Sequence, residues 1–181
     1  MRLFMSLEGR HVLGWEAEEV AIREEETADG VAAEFEDPCV TFLQLNRIDL
    51  ELDGEELVSI ATYRDGNAYG LWPHCPALRL VPRRQSGIFR TRRLDDLPIG
   101  RIRSVDVGAH LRGTLNQVTF TVGDEVVVLL PGEVNEDWEG ALRVRLDRES
   151  VLLFSDPLDA EDVRAAAAAK EPLAPGSLFD E

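Results

Sequence analysis

Three histidines, His11, His74 and His110, and two cysteines, Cys39 and Cys75, are the side chains best suited to metal or nucleophilic chemistry. Only His74 and Cys75 are neighbours, in Pro73-His74-Cys75-Pro76. A zinc framework shows recurring close pairs of ligands, because four donors must converge on one tetrahedral ion. One His-Cys pair, with Cys39 or His11 far off in the chain, does not supply that. A Cys-His nucleophile would need the two groups within hydrogen-bond reach and a third to orient them. No phosphate-cradling glycine loop, Gly-x-Ser-x-Gly turn or His-Glu-x-x-His occurs. Asp95-Asp96 and Glu136-Asp137 have the residue types of a glycosidase, but a chain with 35 acids produces such pairs by composition. We expect no catalytic residues, no metal ligands and no cofactor.

Trp138 points to other chemistry. It sits in Asn135-Glu136-Asp137-Trp138-Glu139-Gly140, at the end of a stretch, residues 123–140, that holds acids and no base. Tryptophan is enriched among residues that anchor protein interfaces, and an acidic setting complements a basic partner. The candidate partner-binding set is Glu133, Glu136, Asp137, Trp138 and Glu139. The competing expectation is that Trp138 folds back over the sheet.

Acids outnumber lysines and arginines 35 to 19, for a net charge of −16. That excess opposes binding to nucleic acid or anionic membrane and is compatible with a basic protein partner. Solubility alone also selects acidic surfaces. The charge is uneven. Residues 16–37 are crowded with acids, whereas residues 78–103 hold eight arginines. The basic band has two readings: phosphate contact, or pairing of Arg90 and Arg92 with acids on a neighbouring strand. Internal pairing is the favoured one.

The elements that must position the acidic loop show in the periodicity. Residues 45–60, LNRIDLELDGEELVSI, align without a gap on residues 115–130, LNQVTFTVGDEVVVLL. Leu45/Leu115, Asn46/Asn116, Glu55/Glu125 and Val58/Val128 are identical pairs. Ile48, Leu50 and Leu52 in one copy, and Val118, Phe120 and Val122 in the other, alternate with polar residues, so each set lines one face of a strand. Asp53-Gly54 and Gly123-Asp124 are turn dipeptides, and each copy reads as a β-hairpin. The expected core is Leu50, Leu52, Val58, Ile60, Phe120, Val122, Val128, Leu130, Leu152 and Phe154.

Further strands are expected on both sides of Glu8-Gly9, at 141–147 and at 150–154, with an edge strand or loop where Pro73, Pro76 and Pro82 cluster. Residues 16–26 read as strand or helix, with strand favoured. A further apolar run, Leu78 to Val81, lies in that edge-strand or loop region between the prolines. Residues 157–171 read as a helix, with Asp156-Pro157 and Asp159 at its start, Lys170 in its last turn and Pro172 after it. A tail, 172–181, follows; Leu178 and Phe179 are its apolar residues. Many short strands with close turns indicate a mainly β chain of antiparallel sheets, a sandwich or partly open barrel, with one C-terminal helix. The chain reads as one domain, with pseudo-repeat halves 1–82 and 95–156 if the hairpins mark a duplication. No apolar run is long enough to span a bilayer, and the first residues lack the pattern of a signal peptide. The expectation is a cytoplasmic protein with two buried thiols.

This profile, carried by LNRIDLELDGEELVSIATYRDGNAYGLWP and the acidic PGEVNEDWEG, resembles the immunity proteins that protect bacteria from polymorphic toxins. The resemblance implies binding and blocking a basic partner, such as a toxin domain, through an acidic surface. It carries over no individual residue roles. The alternatives are a small-ligand β-barrel or hydrolase with a cavity site, and a structural or assembly subunit.

Overall fold

The structure, a computed structural model, describes residues 2–28, 30–76, 80, 87–109 and 114–173. In chain order its elements are α1 (Arg2–Met5), β1 (His11–Val20), β2 (Arg23–Thr27), β3 (Gly30–Glu34), β4 (Leu43–Leu52), β5 (Glu56–Asp65), β6 (Ala68–His74), β7 (Phe89–Arg93), β8 (Gly100–Ala109), β9 (Leu115–Val122), β10 (Glu125–Glu136), β11 (Leu142–Leu146), β12 (Ser150–Phe154) and α2 (Pro157–Ala169). The ambiguous residues 16–26 are strand, apart from a short break between β1 and β2. The apolar run at 78–81 falls outside the described residues except for Leu80, as do His110, Leu178 and Phe179.

The chain is mainly β and antiparallel, and its centre is a closed barrel. Strands β1, β4, β12, β10, β9 and β8 pair in that order, and β8 returns to β1. The closing seam is short, with His11 opposite Arg101 and Val12 opposite Gly100. Farther along the same edge of β1, β7 takes over, from Glu16–Arg93 to Val20–Phe89. β5 and β6 extend the sheet beyond β4, and β11 pairs with the last residues of β10. Closure removes most open edges. Of the two ends of the sheet path, β6 contains Pro73, which cannot donate to a further strand, and β7 carries three arginines.

Two cores share the strands β10 and β12. Val127, Leu129, Val151 and Leu153 turn into the barrel beside Trp15, Ile48, Leu50, Ile102 and Phe120. Their neighbours Val128, Leu130, Leu152 and Phe154 face a second core with Ile22, Phe42, Val134, Leu142, Val144 and, from α2, Ala160 and Val163. Burial on both faces requires unbroken apolar runs in place of alternation, and residues 126–130 and 151–154 supply them. All ten expected core residues are at most 3 % exposed. Each such side chain stabilises the fold by about 1.5–3 kcal/mol.

The barrel interior is filled by side chains. The strand expected before Glu8 is instead the short helix α1 and a turn. Phe4 and Leu7, three residues apart, fall on one side of a helical turn and plug the core, at 0 % and 2 % exposure. The Phe4 and Trp15 rings each lie 6.3 Å from that of Phe120. The indole Nε1 of Trp15 donates to the Pro98 carbonyl at 2.8 Å. α2 starts as expected: Asp156 accepts from the Leu158 N–H at 2.8 Å, with Pro157 in the first turn. It ends at Lys170 in a left-handed conformation. The cysteines depart from expectation. Cys39 is half-buried and Cys75 exposed, both as free thiols; Cys75 directly follows the edge strand β6. No helix among the described residues is long and apolar enough to cross a membrane.

Candidate functional site

The turn between β10 and β11 is built around one carboxylate. Asp137 Oδ1 accepts the backbone N–H groups of Glu139 and Ala141 at 2.9 and 3.0 Å. Its Oδ2 accepts from Arg143 Nε at 2.7 Å. The Asp137 N–H donates to the Ala141 carbonyl at 2.8 Å and the Gly140 N–H to the Asp137 carbonyl at 3.0 Å. Gly140 takes φ 82°, which favours glycine. Arg143 also reaches the carbonyl of Lys170, so the turn is tied to the end of α2. The Arg143 guanidinium holds the Asp137 carboxyl below its ordinary pKa, and the two backbone donors add to that.

This framework leaves Trp138 in water. Its side chain is 90 % exposed, the most of any large apolar residue described. It does not fold back over the sheet, because residues 137 and 141 close the turn beneath it and the sheet there is already covered by α2. The sequence-derived set is thereby sorted. Asp137 is used inside the turn as its organiser. Trp138 and Glu139 stand at the tip, both exposed. Glu133 is half-buried on β10, and Glu136 is exposed with Arg23 Nη1 3.5 Å from its carboxylate.

That ion pair brings in residues that sequence reasoning kept apart. Arg23 opens β2 and also contacts Asp37 at 3.1 Å. The acidic β2–β3 hairpin is therefore fastened beside β10. Gln44, 5 % exposed, completes the join: its amide nitrogen donates to the Ala21 carbonyl at 3.4 Å and its oxygen accepts from the Val134 N–H at 2.6 Å. Between the two hairpins runs a cleft of about 280 Å³, lined by Ile22 and Val134, by the acids Glu24, Glu133 and Glu136, and by Arg23. The two acidic segments, 16–37 and 123–140, thus form one surface. No sequence signal pairs residue 23 with residue 136; only the separate acid runs are visible.

The basic band is partly consumed internally, as expected. Arg90 and Arg92 of β7 both contact Glu19 of β1, which is 2 % exposed. Arg90 also meets Glu36 at 3.2 Å and lies 4.4 Å from the centre of the Phe35 ring. Arg93 pairs with Asp95 at 3.0 Å and Arg103 with Asp124 at 2.6 Å, while the arginines at 79, 83 and 84 lie outside the described residues. Among the described residues no three His, Cys, Asp or Glu side chains converge as a metal site requires.

Fold and surface together define a closed antiparallel barrel that carries an acidic, tryptophan-tipped face. No protein-family model matches the chain, and comparison with curated proteins finds no match.

Proposed function

We propose that this protein is a non-catalytic binding protein of the immunity type. It engages a basic protein through the face formed by the β2–β3 and β10–β11 hairpins. The observation that carries this reading is Trp138, almost fully exposed on a turn held together by the side chain and backbone of Asp137. An indole held in water exposes a large apolar surface that burial against a partner would recover. Holding it in one place before binding lowers the ordering cost of association. Surrounding acids then do two things. They steer a basic protein in from a distance, and they penalise acidic competitors. The cleft between the hairpins adds a place for an aliphatic stem with a cationic head, the shape of a partner's lysine or arginine.

The test is kinetic. Reversal of the exposed acids Glu24 and Glu139 to Lys slows association with the partner and flattens its salt dependence, because it removes the attraction that salt screens over a Debye length of about 8 Å at physiological strength. An association rate indifferent to both salt and charge reversal would remove this face from the account.

A further inference from the structure

The end of the barrel beside β7 holds a second cleft, of about 360 Å³, at the small end of the range for ligand sites. Its floor is apolar and continuous with the barrel core: Leu43, Leu94, Leu97 and Leu153. Arg92 stands on its wall.

The state of Arg92 is unusual. Its Nε lies 2.9 Å from Glu19 Oε1, yet both atoms are buried and neither completes a hydrogen bond. The other Glu19 oxygen accepts from Arg90, which has Glu36 as a second acid. One buried carboxylate thus serves two guanidinium groups, and Arg90 holds the directed bond. Arg92 is fixed by charge, and its Nε completes no hydrogen bond among the described residues. Its planar fork of donors matches a carboxylate. Glu36, Asp37 and Asp96 also line the cleft, and with a net charge of −16 they repel multiply charged anions.

We propose that this cleft binds a small amphipathic monocarboxylate, its carboxylate on Arg92 and its apolar body over Leu94, Leu97 and Leu153. Glu36 and Asp37 border both sites, but Arg92, Leu94, Leu97 and Leu153, on which the proposal rests, lie outside both acidic segments, so it stands or falls independently of the tryptophan-tipped face.

The full chain, labelled at leucine methyls, is titrated with hexanoate, hexanol and succinate and followed by NMR. Hexanoate shifts the Leu94, Leu97 and Leu153 methyls saturably. Hexanol binds there about ten-fold more weakly, the size of one charge-assisted hydrogen bond, and succinate leaves them unmoved. Arg92→Gln abolishes the preference for hexanoate over hexanol. Equal response to hexanoate and hexanol in the wild-type chain overturns the proposal, whether or not the Arg92 variant folds. So does the absence of methyl shifts at about 10 mM hexanoate, beyond the weak end of useful affinities.

Discussion

Arg143 Nε donates to Asp137 Oδ2 at 2.7 Å, from β11 to the residue immediately before Trp138. The other oxygen of that carboxylate takes two backbone N–H groups from the far side of the tryptophan. One side chain therefore sets the path of the chain both before and after Trp138. Asp137→Ala removes the acceptor for three donors at once. Amide hydrogen exchange at Glu139 and Ala141 rises to the rate of an open loop, while amides of β9 and β12 keep their protection. Unchanged exchange at Glu139 and Ala141 would show that the turn holds itself without Asp137.

The same carboxylate makes the turn sensitive to acid. Bonding to Arg143, first, and to the backbone donors lowers the Asp137 pKa in the folded state; Asp53 is lowered likewise by Arg10 and then by the His11 N–H. A depressed carboxyl contributes stability above its unfolded value, about 3.9, and loses it as pH falls through the folded value. Protection at Glu139 and Ala141 is therefore flat from pH 7 to about pH 5 and declines below about pH 4. In Asp137→Asn the acid-dependent part of that decline disappears at this turn.

Two-sided burial of β10 gives an unusual substitution pattern. In a half-exposed strand, one of two adjacent residues tolerates a charge. Here Val127 faces the barrel core at 0 % exposure and Val128 the outer core at 2 %. Val127→Asp and Val128→Asp both unfold or severely destabilise the chain. Phe120→Ala, which empties the space between Phe4 and Trp15, costs about 3–5 kcal/mol in chemical denaturation. Tolerance of Asp at either valine would mean that one face of β10 is open to water.

Glu19 joins β7 to β1 and is the one acid paired with Arg92 among the described residues. Glu19→Ala leaves two guanidinium groups without their shared acid. Both arginines are partly exposed, at 28 % and 40 % of the side chain, so they can turn to water. The cost is on the order of 1–3 kcal/mol, and exchange protection is lost first in β7. Equal loss across all strands would contradict an edge role for this cluster.

Much of this architecture was legible in the residues, and its limits have physical causes. Alternation at 48–52 and 118–122 marked both hairpins, and the apolar runs at 126–130 and 151–154 marked strands; that both faces of these strands are buried is seen only in the structure. The gapless repeat misled at the turns. Leu52 pairs with Glu56 across a three-residue bend, whereas Val122 pairs with Glu125 across two residues, with positive φ at Gly123. That one-residue difference flips the second strand. Val58 and Ile60 therefore face the barrel core together with Val127 and Leu129, while the aligned Val128 and Leu130 face the outer one. Position 138 was visible as an interface candidate, because an aromatic among acids has few structural uses. Its neighbour Asp137 was not visible as the turn's organiser, since a carboxylate that takes backbone donors has the same letter as one that faces solvent. The Arg23–Glu136 contact joins positions 113 residues apart, and no local pattern encodes it.

Trp138→Ala separates folding from recognition. A side chain 90 % exposed contributes little to the fold, so the variant's stability stays within about 0.5 kcal/mol of the parent. A photo-crosslinking residue at position 139, introduced into the parent and into Trp138→Ala, reports directly on what meets this face in the native cell. The account predicts one basic protein joined to the parent, its yield falling as salt rises and lost in the Trp138→Ala chain, with affinity reduced by about 2 kcal/mol or more. The same crosslinked protein recovered equally from both chains, or no protein from either, would contradict it.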